Sequence, residues 1–336
     1  MIVVLIVVGA GAFYLGTQHR SGPSGVTLPT LPAPSGKDPF GAFFNVRLLD
    51  VQQRIRLARE LGVRYLRSWS ALVPAWNGQC PECEPVHAAG LQFVLTIRNS
   101  QDERTASSPV TDTGSFERAV GQILDQYRPA VAVVENEENT PQYFSGSPED
   151  YAAELRAVCE VAHSKHIPCT NGGLLMASVT WVVYFHYLDT GQTAQAASFA
   201  RRGLQSFQQQ RLAAPGGEQS GRQVADLTTR FLKLYKGAGA DYLNIHWYGS
   251  DAQAFQESVA YMEEAGRLPV LTNEIGQRNL DPTVTTGLMN MVTRLRLPIA
   301  VWFSSDAILA KALNNPDGSL RPTGVAFRSF IQQRYL

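Results

Sequence analysis

The chain has 336 residues, of which 29 are basic and 29 acidic, with 44% hydrophobic and 10% aromatic content. That length suits one large α/β domain, and the balanced charge gives no compositional case for nucleic acid or an anionic membrane surface as partner. A charged fraction of 17% excludes a disordered or coiled-coil chain and fits a large core with aromatic-lined clefts.

Ile2 to Leu15 is an almost unbroken apolar run. It falls short of the ~20 residues a spanning helix needs. It suits a secretory core segment, with Gly9-Ala10-Gly11-Ala12 offering small residues for cleavage. No Lys or Arg precedes it, so residues 1–16 read either as a cleaved signal peptide or as a short membrane anchor. Export follows in both cases, the protein being secreted or tethered facing outward. Residues 17–39 are rich in Pro, Gly and Ser and read as a flexible linker. Residues 40–336 then form a single folded domain.

From there strand-like and helix-like segments alternate. Phe43-Phe44-Asn45-Val46 is the first predicted strand, and the helix after it carries Val51, Ile55, Ala58 and Leu61 before Gly62. Val63–Trp69 and Leu91–Ile97 are the second and third strands, with little helical pattern between them beyond 85–90. A helix with Phe116, Val120, Ile123, Leu124 and Tyr127 inward leads to the fourth strand, which runs straight into Glu135-Asn-Glu-Glu-Asn139. Ser147-Pro148 opens a helix as N-cap and first turn, and the fifth strand ends at Asn171-Gly172-Gly173. Helices are expected at about 176–188, 193–210 and 224–235. The apolar 181–185 run reads as a lid or subsite wall. The sixth strand is Tyr242–His246, the seventh runs from Leu268 to Glu274 and the eighth covers 299–303. A last helix follows at 322–334.

Eight βα units close most naturally as a (β/α)8 TIM barrel. The alternative, an open doubly wound sheet, would carry a Gly-rich turn after its first strand, where this chain has Asn45-Val-Arg-Leu. In a barrel every strand ends on one rim, and carboxylates are costly to bury there without a use. The residues at that rim are Asn45, Arg67, Trp69, Asn99, Asn136, Glu137, Asn171, His246, Tyr248, Glu274 and Trp302. Strands four and seven lie across the mouth, so Glu137 and Glu274 can face each other as a carboxylate pair.

There are four cysteines. Cys80 and Cys83 form a CxxC without the second pair or the histidines of a zinc site, and with export they read as a local disulfide. Cys159 and Cys169 are either a second disulfide or two buried thiols. No cofactor and no metal is expected. A metal-dependent barrel hydrolase needs a histidine set at the rim, and only His246 is placed there.

At these residues the chain resembles the clan A (β/α)8-barrel glycoside hydrolases, and is similar to families 5 and 39. The fourth-strand Trp-Asn-Glu-Pro pattern of that clan stands here as Glu135-Asn136-Glu137-Glu138. The resemblance implies that Glu137 is the acid/base and that Asn136 holds the sugar 2-hydroxyl. Thr272-Asn273-Glu274-Ile275-Gly276 resembles the seventh-strand pattern with one extra residue, which makes Glu274 the nucleophile. His246-Trp247-Tyr248 resembles the clan's His-x-Tyr, whose tyrosine donates to the nucleophile. Arg67 matches the arginine that keeps that carboxylate ionised, and Trp302 the tryptophan that floors the site. Asn45, Trp69 and Asn99 complete the expected substrate-binding set. The departures, Glu135 and Glu138, are expected to raise the pKa of Glu137. The resemblance implies a retaining β-glycosidase; export and the long connection after the fifth strand favour a polysaccharide over a small glycoside, and a monomer is expected. The alternative is an inactive barrel that binds glycan or scaffolds an envelope polysaccharide assembly.

Overall fold

A strand covered on both faces has to be apolar throughout, and Val131-Ala-Val-Val134 shows what that produces. Val131 and Val133 point into the barrel with Phe43, Tyr65, Val94, Leu271, Ile299 and Val301. Ala132 and Val134 point outward into the larger core beneath the helices. The computed structural model describes residues 38–304 and 312–336. The expected signal or anchor segment and nearly all of the linker lie outside the described residues. Among the described residues, no helix is long and apolar enough to cross a membrane.

The staves are β1 (Phe40–Phe44), β2 (Tyr65–Arg67), β4 (Gln92–Arg98), β5 (Val131–Val134), β6 (Cys169–Asn171), β7 (Leu243–Trp247), β8 (Val270–Ile275) and β9 (Ala300–Ser304). A two-residue strand, β3 (Ala71–Leu72), pairs beside β4. All pairings are parallel, in the order β6-β5-β4-β2-β1-β9-β8-β7. The ring closes between β6 and β7 through the bridges Thr170↔Tyr242 and Leu174↔Ile245. The fold is the expected barrel.

Side-chain amides finish this seam. Asn244 receives a bond from the Asn171 amide on its carbonyl (3.0 Å), and its own N–H donates to Asn171 Oδ1 (2.7 Å). The next junction is irregular in a telling way. Asn244 pairs with Leu271 and His246 with Glu274, so β8 carries one more residue than β7 over this stretch. The same excess appears against β9. This bulge accounts for the extra residue between Thr272 and Glu274, and it turns the strand end toward the barrel mouth.

Helices α1 (Val51–Leu61), α2 (Cys83–Ala88), α3 (Thr113–Tyr127) and α4 (Pro148–Ser164) cover the first half. Ser147 caps α4 in a capping box with Asp150. The long connection after β6 holds α5 (Met176–Asp189), α6 (Thr193–Gly203), α7 (Ser206–Ala213) and α8 (Gly217–Tyr235). In α5, Trp181 and Phe185 are buried and stacked on each other, and both contact Gly221 of α8. The 181–185 run is therefore core and not a lid. Helices α9 (Ala252–Gly266), α10 (Pro282–Leu295) and α11 (Pro322–Tyr335) complete the layer. Disulfides join Cys80 to Cys83 and Cys159 to Cys169.

One α4 side chain ties two stave ends together just below the rim. The Tyr151 hydroxyl donates to Val134 O (2.9 Å) and accepts from Gly172 N (3.1 Å). Tyr151→Phe leaves both buried groups unpaired, an expected loss of about 1–3 kcal/mol. Denaturant unfolding checks this as a lower midpoint at unchanged slope.

Candidate active site

The stretch after β5 places four polar residues in different directions. Glu135 and Glu137 both adopt left-handed backbone, with φ of 67° and 43°. Non-glycine residues take that conformation at a cost, and it recurs where side chains must be aimed. Glu135 turns into the wall. It pairs with Arg98 (3.2 Å) and accepts from Asn99 N and the Ser107 hydroxyl, each at 2.6 Å. Glu138 also turns away, bonding to the Tyr235 hydroxyl and to the Asn171 amide (2.9 Å). Burial pushes the Glu138 carboxyl up to about 7 against those two donors. Asn136 and Glu137 are left facing the mouth, so the neighbouring acids are spent on the wall.

The floor beneath them requires glycine. A Cβ on Gly172 would lie 2.7 Å from the Glu135 backbone, and one on Gly173 would lie 2.1 Å from His246 Nε2. Gly173 also has a φ of 103°. His246 fills the space this leaves and is fully buried. Its Nδ1 stands 2.9 Å from Glu137 Oε1 and 3.5 Å from Glu274 Oε2.

Glu274 is 7% exposed. Arg67 bonds one of its oxygens and the Tyr248 hydroxyl donates to the other. Arg67 is itself fixed by Asn273 O (3.2 Å), Asn136 Oδ1 (3.3 Å) and the face of Phe43 at 4.8 Å. Burial alone would raise the Glu274 carboxyl. The charges of His246 and Arg67 and the bonds from Tyr248 and Arg67 outweigh it and bring the group to about 2. Burial and the Glu274 charge hold the Tyr248 hydroxyl well above its ordinary value, so it stays a donor. For His246 burial favours the neutral ring, and the charges of Glu274 and Glu137 overcome it and raise its pKa. One ligand-type atom from each of Glu137, His246 and Glu274 lies within 4.8 Å of the others. A divalent cation would also accept these donor types, but Arg67 and Tyr248 already fill both Glu274 oxygens and Arg67 supplies the positive charge.

The adjoining cleft, about 200 Å³, is lined by Phe43, Arg67, Trp69, Asn136, Tyr143, Glu274 and Phe303 among others. A larger cavity of about 420 Å³ opens at the opposite end of the barrel, between Asp38, Arg64 and Leu297, far from these carboxylates. Arg98 holds the cleft wall together through backbone carbonyls, donating to Glu103 O (3.1 Å), Thr105 O (2.9 Å) and Tyr143 O (3.4 Å).

Arg67, Trp69, Asn136, Glu137, Tyr248 and Glu274 thus come together at one mouth, while four expected substrate contacts do not. His246 is behind the carboxylates and not in the cleft. Trp302 points outward against Phe327, with ring centroids 5.6 Å apart. Strand alternation gives the inward place on β9 to Phe303. Asn45 lies past the end of β1, which starts and stops earlier than expected, and its side chain accepts from Arg47 N (2.9 Å) and Leu48 N (3.2 Å) as a turn cap. Asn99 lines a separate cavity of about 270 Å³ with Val73, Pro74 and Phe116. Phe43, Tyr143 and Phe303 are cleft residues that motif reasoning missed. The phase of β9, with Val301 inward, was the available signal for Phe303.

Residues 190–327 match the family described as glycosyl hydrolase catalytic core. No curated protein matches the chain. Among solved structures, a mutant subgroup I endo-β-1,3-glucanase of glycoside hydrolase family 128 from Amycolatopsis mediterranei, in complex with laminarihexaose, superposes with a TM-score of 0.51. It is 12% identical, over 88% of this chain and 99% of that one. A subgroup VI exo-β-1,3-glucanase from Aureobasidium namibiae gives a TM-score of 0.52 at 14% identity, over 87% and 96%. A subgroup II endo-β-1,3-glucanase from Pseudomonas viridiflava gives 0.52 at 14% identity, over 88% and 98%. At these identities the likeness establishes the shared barrel. These neighbours belong to family 128, not to families 5 and 39 to which the motifs pointed.

The lowered Glu274 carboxyl has a consequence for acid stability. Its folded pKa lies below the ordinary value of 4.5, so its contribution is complete above about pH 4.5 and is lost as pH falls toward 2. The shift corresponds to a loss on the order of 3 kcal/mol. Unfolding free energies measured across that window should show this fall in the wild type and lack it in Glu274→Gln. An unchanged profile in the variant would overturn the assignment of the charge to Glu274.

Proposed function

We propose that the protein is a retaining glycoside hydrolase that cleaves a β-linked glucan by double displacement. The observation that carries this reading is the carboxylate pair: a Glu137 oxygen and a Glu274 oxygen lie within 4.8 Å. Retaining enzymes hold the two carboxyl groups about 5–5.5 Å apart, whereas inverting ones leave room for a water at roughly 6.5–9.5 Å. The environments also divide the roles. Glu274, held ionised by Arg67 and Tyr248, is the nucleophile. Glu137, with 13% of its side chain exposed and His246 behind it, is the acid/base.

In the first step the Glu137 proton passes to the glycosidic oxygen, the C1–O bond breaks, and Glu274 forms an ester to C1. In the second, Glu137 takes a proton from water, whose oxygen attacks C1 as the Glu274 ester bond breaks. Asn136, fixed by Arg67, is placed to bond the sugar beside the reacting carbon. Trp69, Phe43, Tyr143 and Phe303 offer aromatic faces to sugar rings. The match to a glycosyl hydrolase catalytic core and the β-1,3-glucanase activity of the solved neighbours support a β-1,3-glucan as substrate. The two disulfides and the apolar run over residues 1–16 support an exported enzyme meeting its polymer outside the cell.

Incubation with laminarihexaose and with other β-linked oligosaccharides tests this. Glu274→Ala and Glu137→Ala should each lose at least ~10³-fold in kcat on oligosaccharides. Glu137→Ala should lose far less on an aryl glucoside whose leaving group needs no proton. Proton NMR should show the β anomer as the first product. An α product would sink the retaining mechanism. Oligosaccharide binding without any cleavage would favour a glycan-binding barrel instead.

A further inference from the structure

The amides that close the barrel wall also fix a proton. Asn244 accepts on Oδ1 from the backbone N–H of Asn273 (3.0 Å), which can only donate. Its Nδ2 donates to the backbone carbonyl of Asn171 (3.1 Å), which can only accept. Two main-chain groups therefore set which way the Asn244 amide faces, a choice that side-chain partners alone leave open. The same Nδ2 points at the Asn273 side chain, 2.7 Å away, so the atom there must be the acceptor Oδ1. That oxygen lies 2.9 Å from His246 Nε2, which must then carry a hydrogen. Each step follows from the one before, beginning with the backbone of β6 and β8.

With Nε2 committed as a donor, the neutral ring has its free lone pair on Nδ1, facing Glu137. The opposite tautomer fails: a bare Nε2 would set its lone pair against the Asn273 oxygen. We infer that Asn273 is a positioning residue which holds His246 in its Nε2–H form, so that one proton is shared between His246 Nδ1 and Glu137. The tautomer rests on geometry alone; its catalytic consequence rests on the reading of Glu137 as acid/base. The shared proton lies on Glu137, or on Nδ1 beside an ionised Glu137. When the leaving oxygen takes it, Glu137 is a carboxylate and the ring is neutral. The water that attacks next returns one proton to the pair, and the cycle balances.

The groups facing the ring agree with this. Glu137 and Glu274 lie on the Nδ1 side, Arg67 and Tyr248 bind Glu274 beyond it, and Glu138 is buried in the wall behind Asn171. On the β6 side only the missing Cβ of Gly173 makes room. Asn273 Nδ2 is buried with no partner among the described residues, so Asn273→Asp replaces it by an oxygen without breaking a bond described there.

Nitrogen-15 NMR of histidine-labelled protein, with His246 assigned by difference from His246→Gln, reads the tautomer directly. The neutral ring should be Nε2–H in the wild type; an Nδ1–H ring would overturn the proposal, whether or not the protein cleaves glucan. For activity, Asn273→Asp adds a negative charge beside Nε2–H and should move the alkaline limb of kcat/KM up by about one pH unit or more. Asn273→Leu should move it down and lower kcat by roughly tenfold or more, with KM within about twofold. An Asp variant whose alkaline limb stays in place, in an enzyme that depends on Glu137, would also overturn it. Loss of all glycan cleavage in the wild type would instead remove the acid/base reading and leave the NMR result standing.

Discussion

Taking a carboxylate out of water costs several kcal/mol unless a counter-charge and donors replace the lost hydration, and Glu274 is fully committed to that bargain. The β8 bulge turns it into the mouth, Arg67 and Tyr248 meet its oxygens, and His246 adds charge behind it. Each of these partners needs support of its own. Arg67 leans on Phe43, Asn136 and the Asn273 carbonyl, and His246 stands on Gly173 and Asn273. Removing any one leaves a buried charge or donor exposed to nothing, so the site behaves as a unit and its single-residue effects will not add.

The acidic cluster after β5 follows the same logic with a different outcome. Three glutamates in four positions would repel one another if they shared an environment. Left-handed backbone at Glu135 and Glu137 separates them. Glu135 finds Arg98 and two donors, and Glu138 finds Tyr235 and Asn171. Glu154 on α4 lies buried near Glu135 with no donor to either oxygen among the described residues; burial first, and the Glu135 charge second, push its carboxyl well up into the neutral form. The strained turn is thus held by the wall and aims Glu137 at the mouth.

Much of this was legible in the chain. The strands were found by apolar runs, and the ends of the fourth and seventh by carboxylates that a buried strand does not tolerate idly. What stayed hidden has physical reasons. Gly41 inside β1 disguised where that strand begins, so Asn45 was assigned to a stave instead of a turn. Trp302 drew attention by its size, but strand phase decides direction and gave the cleft to Phe303. The bulge in β8 showed only as a spacing mismatch. Asn244 and Asn273 carried no signal, because their side chains take over ladder bonds that sequence patterns assign to the backbone. Glu135 and Glu138 turn into the wall while Glu137 faces the mouth, a divergence of neighbours that depends on backbone conformation and not on residue type.

The grip of Arg98 on three carbonyls fixes one side of the cleft through main-chain atoms. Its bonds to main-chain oxygens at Glu103, Thr105 and Tyr143 do not depend on the side chains there, although the Glu103 carboxylate also binds Ser70 and Arg98 and the Tyr143 ring faces the Arg98 guanidinium. The wall across β6 to β8 is held differently, since its bonds run through the amide side chains themselves. Within a single barrel, then, one flank is tied through backbone oxygens and the other through side-chain amides.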